Sequence, residues 1–244
     1  MMSLARAHRE RVLAEKSAAQ AADANGERHG AAASEYELMR ARLGVDLRRL
    51  REIQSREKKI ELKAELLPAY APWVDGVLAA GTAAQDDVLL HVMIWRIDTG
   101  DYAGALPLIR HVVAHKLDLP ERFDRTAPTM IAEEIAEAAL AAHGQGVGFD
   151  VAILEEIEAI VADEDIFDVV RAKLHKAIGL EQQRMAEATP AAADGPAGAR
   201  AAAFTRARAN FVRALALDPN AGVKKRIEGI ERELKKLGAN ATEQ

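Results

Sequence analysis

The stretch Tyr36–Leu67, YELMRARLGVDLRRLREIQSREKKIELKAELL, contains one glycine and no proline. Written as heptads, it puts Tyr36, Leu43, Leu50 and Ala64 at one seam position and Met39, Ile53, Ile60 and Leu67 at the other, with Asp46 and Glu57 as misfits. Apolar residues recurring at alternating three- and four-residue steps predict one long helix over 34–67 with a coiled-coil-like seam of about four heptads. Met39, Leu43, Leu50, Ile53 and Ile60 are therefore candidate oligomerisation residues. The same period also suits an amphipathic helix packed on its own domain. The polar side carries Arg40, Arg42, Arg48, Arg49, Arg51, Arg56, Lys58 and Lys59. Several have acids three or four residues away, so a self-paired solvated face competes with a surface that tracks phosphates.

Outward from this stretch the chain keeps reading as helix. Leu4 to about Ala22 is helix-permissive with a weak apolar face, and Asn25, Gly26 and Gly30 end it; residues 1–33 are expected to form a frayed arm. On the other side, Pro68 and Pro72 break the long helix, and Tyr70 and Trp73 anchor a corner. Thr82 and Gln85 have capping-box spacing, and Asp86 and Asp87 suit the first turn of a helix running to about Ile97. Asp98, Thr99 and Gly100 turn the chain into a second helix, Asp101 to about Lys116, which makes a helical hairpin. Helices follow at about 128–143, 150–162 and 166–178, with Thr126, Asp150 and Asp165 as capping candidates. The turn-rich stretch Ala188–Gly198 reads as a linker, and two helices, 200–217 and 222–237, close the chain.

No sustained alternation of period two occurs, so the fold class is all-α. Ala105, Ala114, Leu117 and Asp118 recur one hundred residues on as Thr205, Ala214, Leu217 and Asp218, a weak tetratricopeptide-like echo. The expected organisation is an arm (1–33), a long helix (34–67), an acidic core domain of helical hairpins (68–187), a linker (188–199) and a basic C-terminal hairpin (200–244).

Charge divides along the same lines. The 244 residues carry a formal net charge of -5, which taken alone argues against a polyanionic partner. Residues 1–67, however, hold 14 Lys/Arg against 11 Asp/Glu, residues 68–199 hold 9 against 22, and residues 200–244 hold 10 against 5. Both ends are basic around a strongly acidic middle, so a nucleic acid would meet the ends. Zero cysteines exclude disulfides, thiolate metal sites and a cysteine nucleophile. No apolar run approaches the ~18 residues of a membrane span, and no apolar signal core opens the chain. Ten aromatic residues, Trp 2, Tyr 3 and Phe 5, are too few for a single-strand binder that stacks bases in series.

Motifs for chemistry are sparse. The sequence has no Gly-rich loop ending in Gly-Lys-Ser/Thr and no Gly-x-Ser-x-Gly, so no nucleotide cofactor or elbow-type hydrolase is expected. His111 and His115 could share a helix face, yet with only Asp118 nearby no metal site is expected. Asp86/Asp87, Glu133/Glu134 and Asp163/Glu164/Asp165/Asp168 are acidic clusters of the sort a divalent-metal nuclease uses. All sit at helix starts, where capping and the dipole explain them, so no catalytic residue is assigned; a nuclease would use Asp86 and Asp87. Lys224, Lys225 and Arg226 begin a C-terminal basic run that continues through Arg232, Lys235 and Lys236.

The segment Leu66-Leu67-Pro68, Pro72-Trp73-Val74, Gly76-Val77-Leu78, Gly81, Ala84-Gln85-Asp86-Asp87, Val92-Met93, Trp95-Arg96, Asp98-Thr99-Gly100-Asp101, Gly104-Ala105-Leu106 resembles the small terminase subunit of temperate contractile-tailed phages, the GpM-like family often labelled terminase endonuclease subunit. The likeness continues through Thr129-Met130, Glu133-Glu134, Val170 to Lys176 with Gly179-Leu180, Ala221 to Lys225 and Glu231 to Lys235.

The resemblance implies a packaging subunit acting in the host cytoplasm. It would recognise viral double-stranded DNA, assemble as a homo-oligomeric ring and hand the DNA to a large subunit that holds the ATP-dependent motor and the nuclease. The DNA-binding candidates are Arg48, Arg49, Arg51, Arg56, Lys58, Lys59, Lys224, Lys225 and Arg226. Two other readings stay open: a metal-dependent endonuclease using Asp86 and Asp87, and a helical adaptor that binds only proteins.

Overall fold

A computed structural model describes residues 3–23, 30–120, 123–189 and 197–242. Among the described residues the chain is all-helical, and it divides into two compact units, Met1–Ala127 and Pro128–Gln244.

The first unit contains α1 (Leu4–Asp23), α2 (Gly30–Glu52), α3 (Arg56–Leu66), a 3-10 turn (Leu67–Ala69), α4 (Ala71–Ala80), α5 (Asp87–Asp98) and α6 (Tyr102–Ala114). α5 is its centre: Val88, Leu89, Leu90, Val92, Met93 and Trp95 are all buried, each contributing about 1.5–3 kcal/mol by leaving water. Around it the aromatic side chains interlock. Tyr36 stacks on Trp73 with ring centroids 5.9 Å apart, and Tyr70 meets Trp95 edge-on at 5.6 Å.

The heptad pattern predicts one helix over 34–67, but the structure breaks it. Ser55 adopts an extended conformation and caps α3 by accepting a hydrogen bond from the Lys58 amide at 3.3 Å. A serine able to satisfy an orphan helix amide competes with continuing the helix through it, and the chain turns between Glu52 and Arg56. Of the two seam misfits, Asp46 is buried and satisfied, accepting hydrogen bonds from Tyr70 Oη and Arg49 Nη1. Glu57 falls in the first turn of α3, where a negative charge suits the dipole.

The weak apolar face of residues 4–22 predicts fraying, whereas in the structure α1 packs against α4. Ala14, Ser17, Ala18 and Ala21 are buried. A Cβ at Gly76 would collide with the Arg11 carbonyl and stand 2.7 Å from Ala14 Cβ. Small residues carry little hydrophobicity yet let two backbones come close enough for dense van der Waals contact. Asn25 and Gly26, read as ending this helix, lie outside the described residues.

The second unit contains α7 (Ala127–Gly144), α8 (Val151–Val161), α9 (Asp168–Ala188), α10 (Ala197–Leu217) and α11 (Lys224–Thr242). Phe204 and Phe211 of α10 are buried with Leu180, Ala207, Ala214, Val223 and Ile230. α9 and α10 approach so closely that a Cβ at Gly179 would stand 2.7 Å from the Phe211 ring. Asp150 caps α8 as its sequence suggests, by accepting from the Ala152 amide. Asp165 does not cap α9, which begins after Phe167 without a side-chain cap. The linker stretch lies outside the described residues from Pro190 to Pro196.

Candidate nucleic-acid interface

The break at Ser55 reshapes the basic stretch of the first unit. Arg48, Arg49 and Arg51 end α2, and Arg56, Lys58 and Lys59 begin α3, so an elbow with six cations and two acids, Glu52 and Glu57, replaces a straight basic face. Arg48, Arg51, Arg56 and Lys58 are exposed and Lys59 is half-buried. Arg49 is half-exposed and paired with Asp46 at 3.0 Å. Cations gathered on a corner can reach phosphates that a self-paired helix face would not.

In the second unit, Lys224 and Lys225 are exposed in the first turn of α11, while Arg226 turns inward and donates to Gln183 Oε1 at 3.1 Å. Lys176 Nζ donates to the Ala221 carbonyl at 2.8 Å, just before that turn. Positive side chains at a helix N-terminus oppose the helix dipole, and an anion bound there would relieve both. Arg226 is thus engaged within the fold, as are Arg232, which donates to the Glu228 carbonyl at 3.2 Å, and Lys236, which pairs with Glu233 at 2.7 Å. Arg208, on the preceding helix, is likewise engaged with Glu231.

The two carboxylates that a nuclease would use have separate tasks. Asp86 is fully buried; its Oδ1 accepts from the Val88 and Leu89 amides at 3.0 Å each, and its Oδ2 accepts from Trp73 Nε1 at 3.2 Å. It is the cap of α5 and ties that helix to α4. Asp87 pairs with Arg40 at 3.3 Å, and its amide donates to Tyr36 Oη. Thr82 and Gln85, predicted to cap this helix, are engaged elsewhere. Thr82 Oγ1 donates to the Ala18 carbonyl, and the Gln85 amide exchanges two hydrogen bonds with the Asp118 backbone. Among the described residues, no group of three or more His, Asp or Glu is placed to hold a metal ion.

Met39, Leu43 and Leu50 are buried inside the first unit, whereas Ile53 and Ile60 are partly exposed. Most of the predicted seam is thus committed within the chain. His111 and His115 face each other with ring centroids 4.5 Å apart. Burial, and secondarily the His115 ring, hold the His111 imidazole below its ordinary pKa. Tyr70 moves the other way, its phenol pushed far up by burial and by its bond to Asp46.

Sequence reasoning found the cations but not their elbow, because the heptad pattern continues through Ser55. The signal that could have found it is Ser55 with Lys58 three residues on, immediately after the last well-formed turn.

Residues 40–169 match the sequence pattern of the family described as phage small terminase subunit. The chain is 45% identical over 203 residues to the protein named "Terminase, endonuclease subunit" of Escherichia phage P2, covering 83% of this chain and 76% of that one. It is 25% identical over 103 residues to the "Probable terminase, endonuclease subunit" of Haemophilus phage HP1, covering 42% of this chain and 37% of that one. No solved structure matches. No helix among the described residues is long and apolar enough to cross a membrane. With a pattern match over more than half its length and a close relative over most of it, the chain belongs to the phage small terminase subunit family.

Proposed function

We propose that this terminase subunit recognises viral double-stranded DNA and presents it to the large subunit for cleavage and packaging, working as a homo-oligomeric ring in the host cytoplasm. The large subunit supplies the ATP-driven motor and the nuclease. The observation that carries this reading is the cationic elbow, Arg48 to Lys59, within a chain of the small terminase family. A ring repeats each modest basic surface, so weak contacts add into avidity. The acidic stretch 68–199 would turn away from DNA, since phosphate repels it. Fluorescence anisotropy with phage end-site duplex over a salt series tests the reading: affinity falls steeply with salt if phosphates are contacted. Binding to the large subunit with none to DNA would instead make the chain a protein-only adaptor.

The name of the phage P2 relative, which calls it an endonuclease subunit, favours a second reading, an intrinsic metal-dependent endonuclease. Asp86 is poorly suited to it, because its oxygens already serve α5 and Trp73. Purified protein incubated with viral DNA and magnesium or manganese separates the two. Cleavage by the subunit alone, lost in Asp87→Ala, supports the nuclease, and cleavage only with the large subunit present supports the first reading.

A further inference from the structure

The connection between α8 and α9 breaks several local rules at once. Asp163, Glu164, Asp165 and Asp168 put four carboxylates within six residues, and among the described residues none of them has an ion-pair or side-chain hydrogen-bond partner. Asp163 and Glu164 follow the last turn of α8, where the helix dipole disfavours negative charge. Arg171 is the cation drawn to this turn, but its Nη2 is held on the Val161 and Glu164 carbonyls at 3.0 and 2.8 Å. Phe167 then takes the N-cap position of α9 without a capping hydrogen bond, where Ser, Thr, Asp or Asn would stabilise the helix. It is 65% exposed, and Val169 is 48% exposed, while Ile166 and Val170 are buried.

We propose that this corner is a docking surface for an arginine-bearing segment of the large terminase subunit, with Phe167 and Val169 as its apolar centre and the four carboxylates as its rim. The proposal rests on the reading of the chain as a subunit that presents DNA to a large subunit, and it names the surface through which it does so. Acids at a helix start and single exposed apolar residues are each ordinary. An exposed phenylalanine in a cap position, flanked on both sides by unpaired carboxylates, is not accounted for by the isolated fold, and departures from local stability rules collect at functional surfaces.

Charge and chemistry select the occupant. Unpaired carboxylates repel phosphate, which sets this corner away from DNA. They do not converge on an ion either, since among the described residues no group of three or more is placed to hold a metal. A second copy's basic ends are committed to phosphate on the same reading. A guanidinium from another protein uses both features, stacking on the Phe167 ring while pairing with the carboxylates beside it. An apolar aromatic centre inside a charged rim is the ordinary anatomy of a protein interface. The surface is also held ready: the two hydrogen bonds of Arg171 fix the turn, and buried Ile166 and Val170 anchor it on either side of Phe167, so little order has to be gained on binding.

The test titrates the full chain against the purified large subunit of the same phage, by surface plasmon resonance at two salt concentrations. Phe167→Ser supplies the missing cap, so its melting temperature should equal or exceed that of the wild type while its affinity falls about thirtyfold. Phe167→Trp should keep the affinity. Asp163→Asn with Asp165→Asn should slow association and flatten its salt dependence. Wild-type affinity in folded Phe167→Ser overturns the proposal. So does a loss of DNA binding by anisotropy, or a changed particle mass by sedimentation, in that variant, because either gives the corner to DNA or to a second copy. A large subunit that binds neither wild type nor variant sinks the presentation reading together with this inference, whereas one that binds both equally sinks this inference alone.

Discussion

Tyr70 Oη donates a 2.7 Å hydrogen bond to Asp46 Oδ2 inside the first unit, joining the corner after the 3-10 turn to a charged position in the middle of α2. Arg42 strengthens the junction: its guanidinium lies 5.1 Å from the Tyr70 ring centroid and donates to the Ala69 carbonyl. An aspartate that looks like a seam defect in sequence is thereby a buried, satisfied anchor. Tyr70→Phe leaves one Asp46 oxygen without this donor and should cost about 1–3 kcal/mol. Urea unfolding measures it, and an unchanged midpoint would show that the bond contributes nothing.

Asp86 holds three donors at once, so its removal should cost more than an exposed cap does. Asp86→Ala loses a helix cap worth about 1 kcal/mol and strands the indole N–H of Trp73, a buried donor, for about another 1–3 kcal/mol. Asp86→Asn should recover part of the loss, since its amide oxygen can still accept from the α5 amides. Thermal unfolding of the two variants, ranked below wild type in that order, checks the assignment. Equal stability of Asp86→Ala and wild type would leave the residue open to another role.

At Gly179 the limit is space. Any side chain there meets the Phe211 ring at 2.7 Å and the Ala207 carbonyl at 3.2 Å, so Gly179→Val should force α9 and α10 apart, costing about 1–3 kcal/mol or more by overpacking. Gly179→Val with Phe211→Leu should regain part of that loss. The melting temperatures of the single and double variants decide it.

Acid should weaken the first unit through His111. Its folded pKa lies below the ordinary 6.5 because burial, and then His115, disfavour the imidazolium. The unfolded chain therefore takes up the proton first. Neutral His111 contributes fully above the unfolded value near 6.5, and that contribution is lost as pH falls through the folded pKa. His111→Gln should flatten the fall in melting temperature on the acid side of neutrality, and an unchanged slope would remove His111 from the account.

Much of the fold is legible in the sequence because its signals are local. Pro68 ends the long basic stretch, Asp150 caps where its spacing places it, and the turn at Thr99-Gly100 makes the α5–α6 hairpin, whose second helix Asp101 opens as its cap. The departures come from long-range packing that local signals do not contain. A seam shared with another chain and a face buried in one's own domain have the same period, so Met39, Leu43 and Leu50 cannot declare which they are. The α1 stripe of Ala14, Ser17, Ala18 and Ala21 is too weakly apolar to register until Gly76 is set against it. Asp86, rather than Thr82, caps α5 because its carboxylate also reaches Trp73. The cations of the elbow are readable one by one, but the helix break between them, where Ser55 caps α3, is hidden by a heptad pattern that runs on through it.

If this elbow grips DNA, its cations meet phosphates, and the salt dependence of binding reads those contacts out. Anisotropy titrations with end-site duplex should compare wild type with Arg56→Ala, Lys58→Ala and Lys59→Ala combined, all of them exposed or half-buried side chains outside the core. Each lost phosphate contact lowers the slope of log affinity against log salt by about 0.9, so the triple variant should bind more weakly with a slope smaller by up to about 2.7 per chain. An unchanged affinity and slope in the folded triple variant, or a wild-type affinity indifferent to salt, would contradict the account.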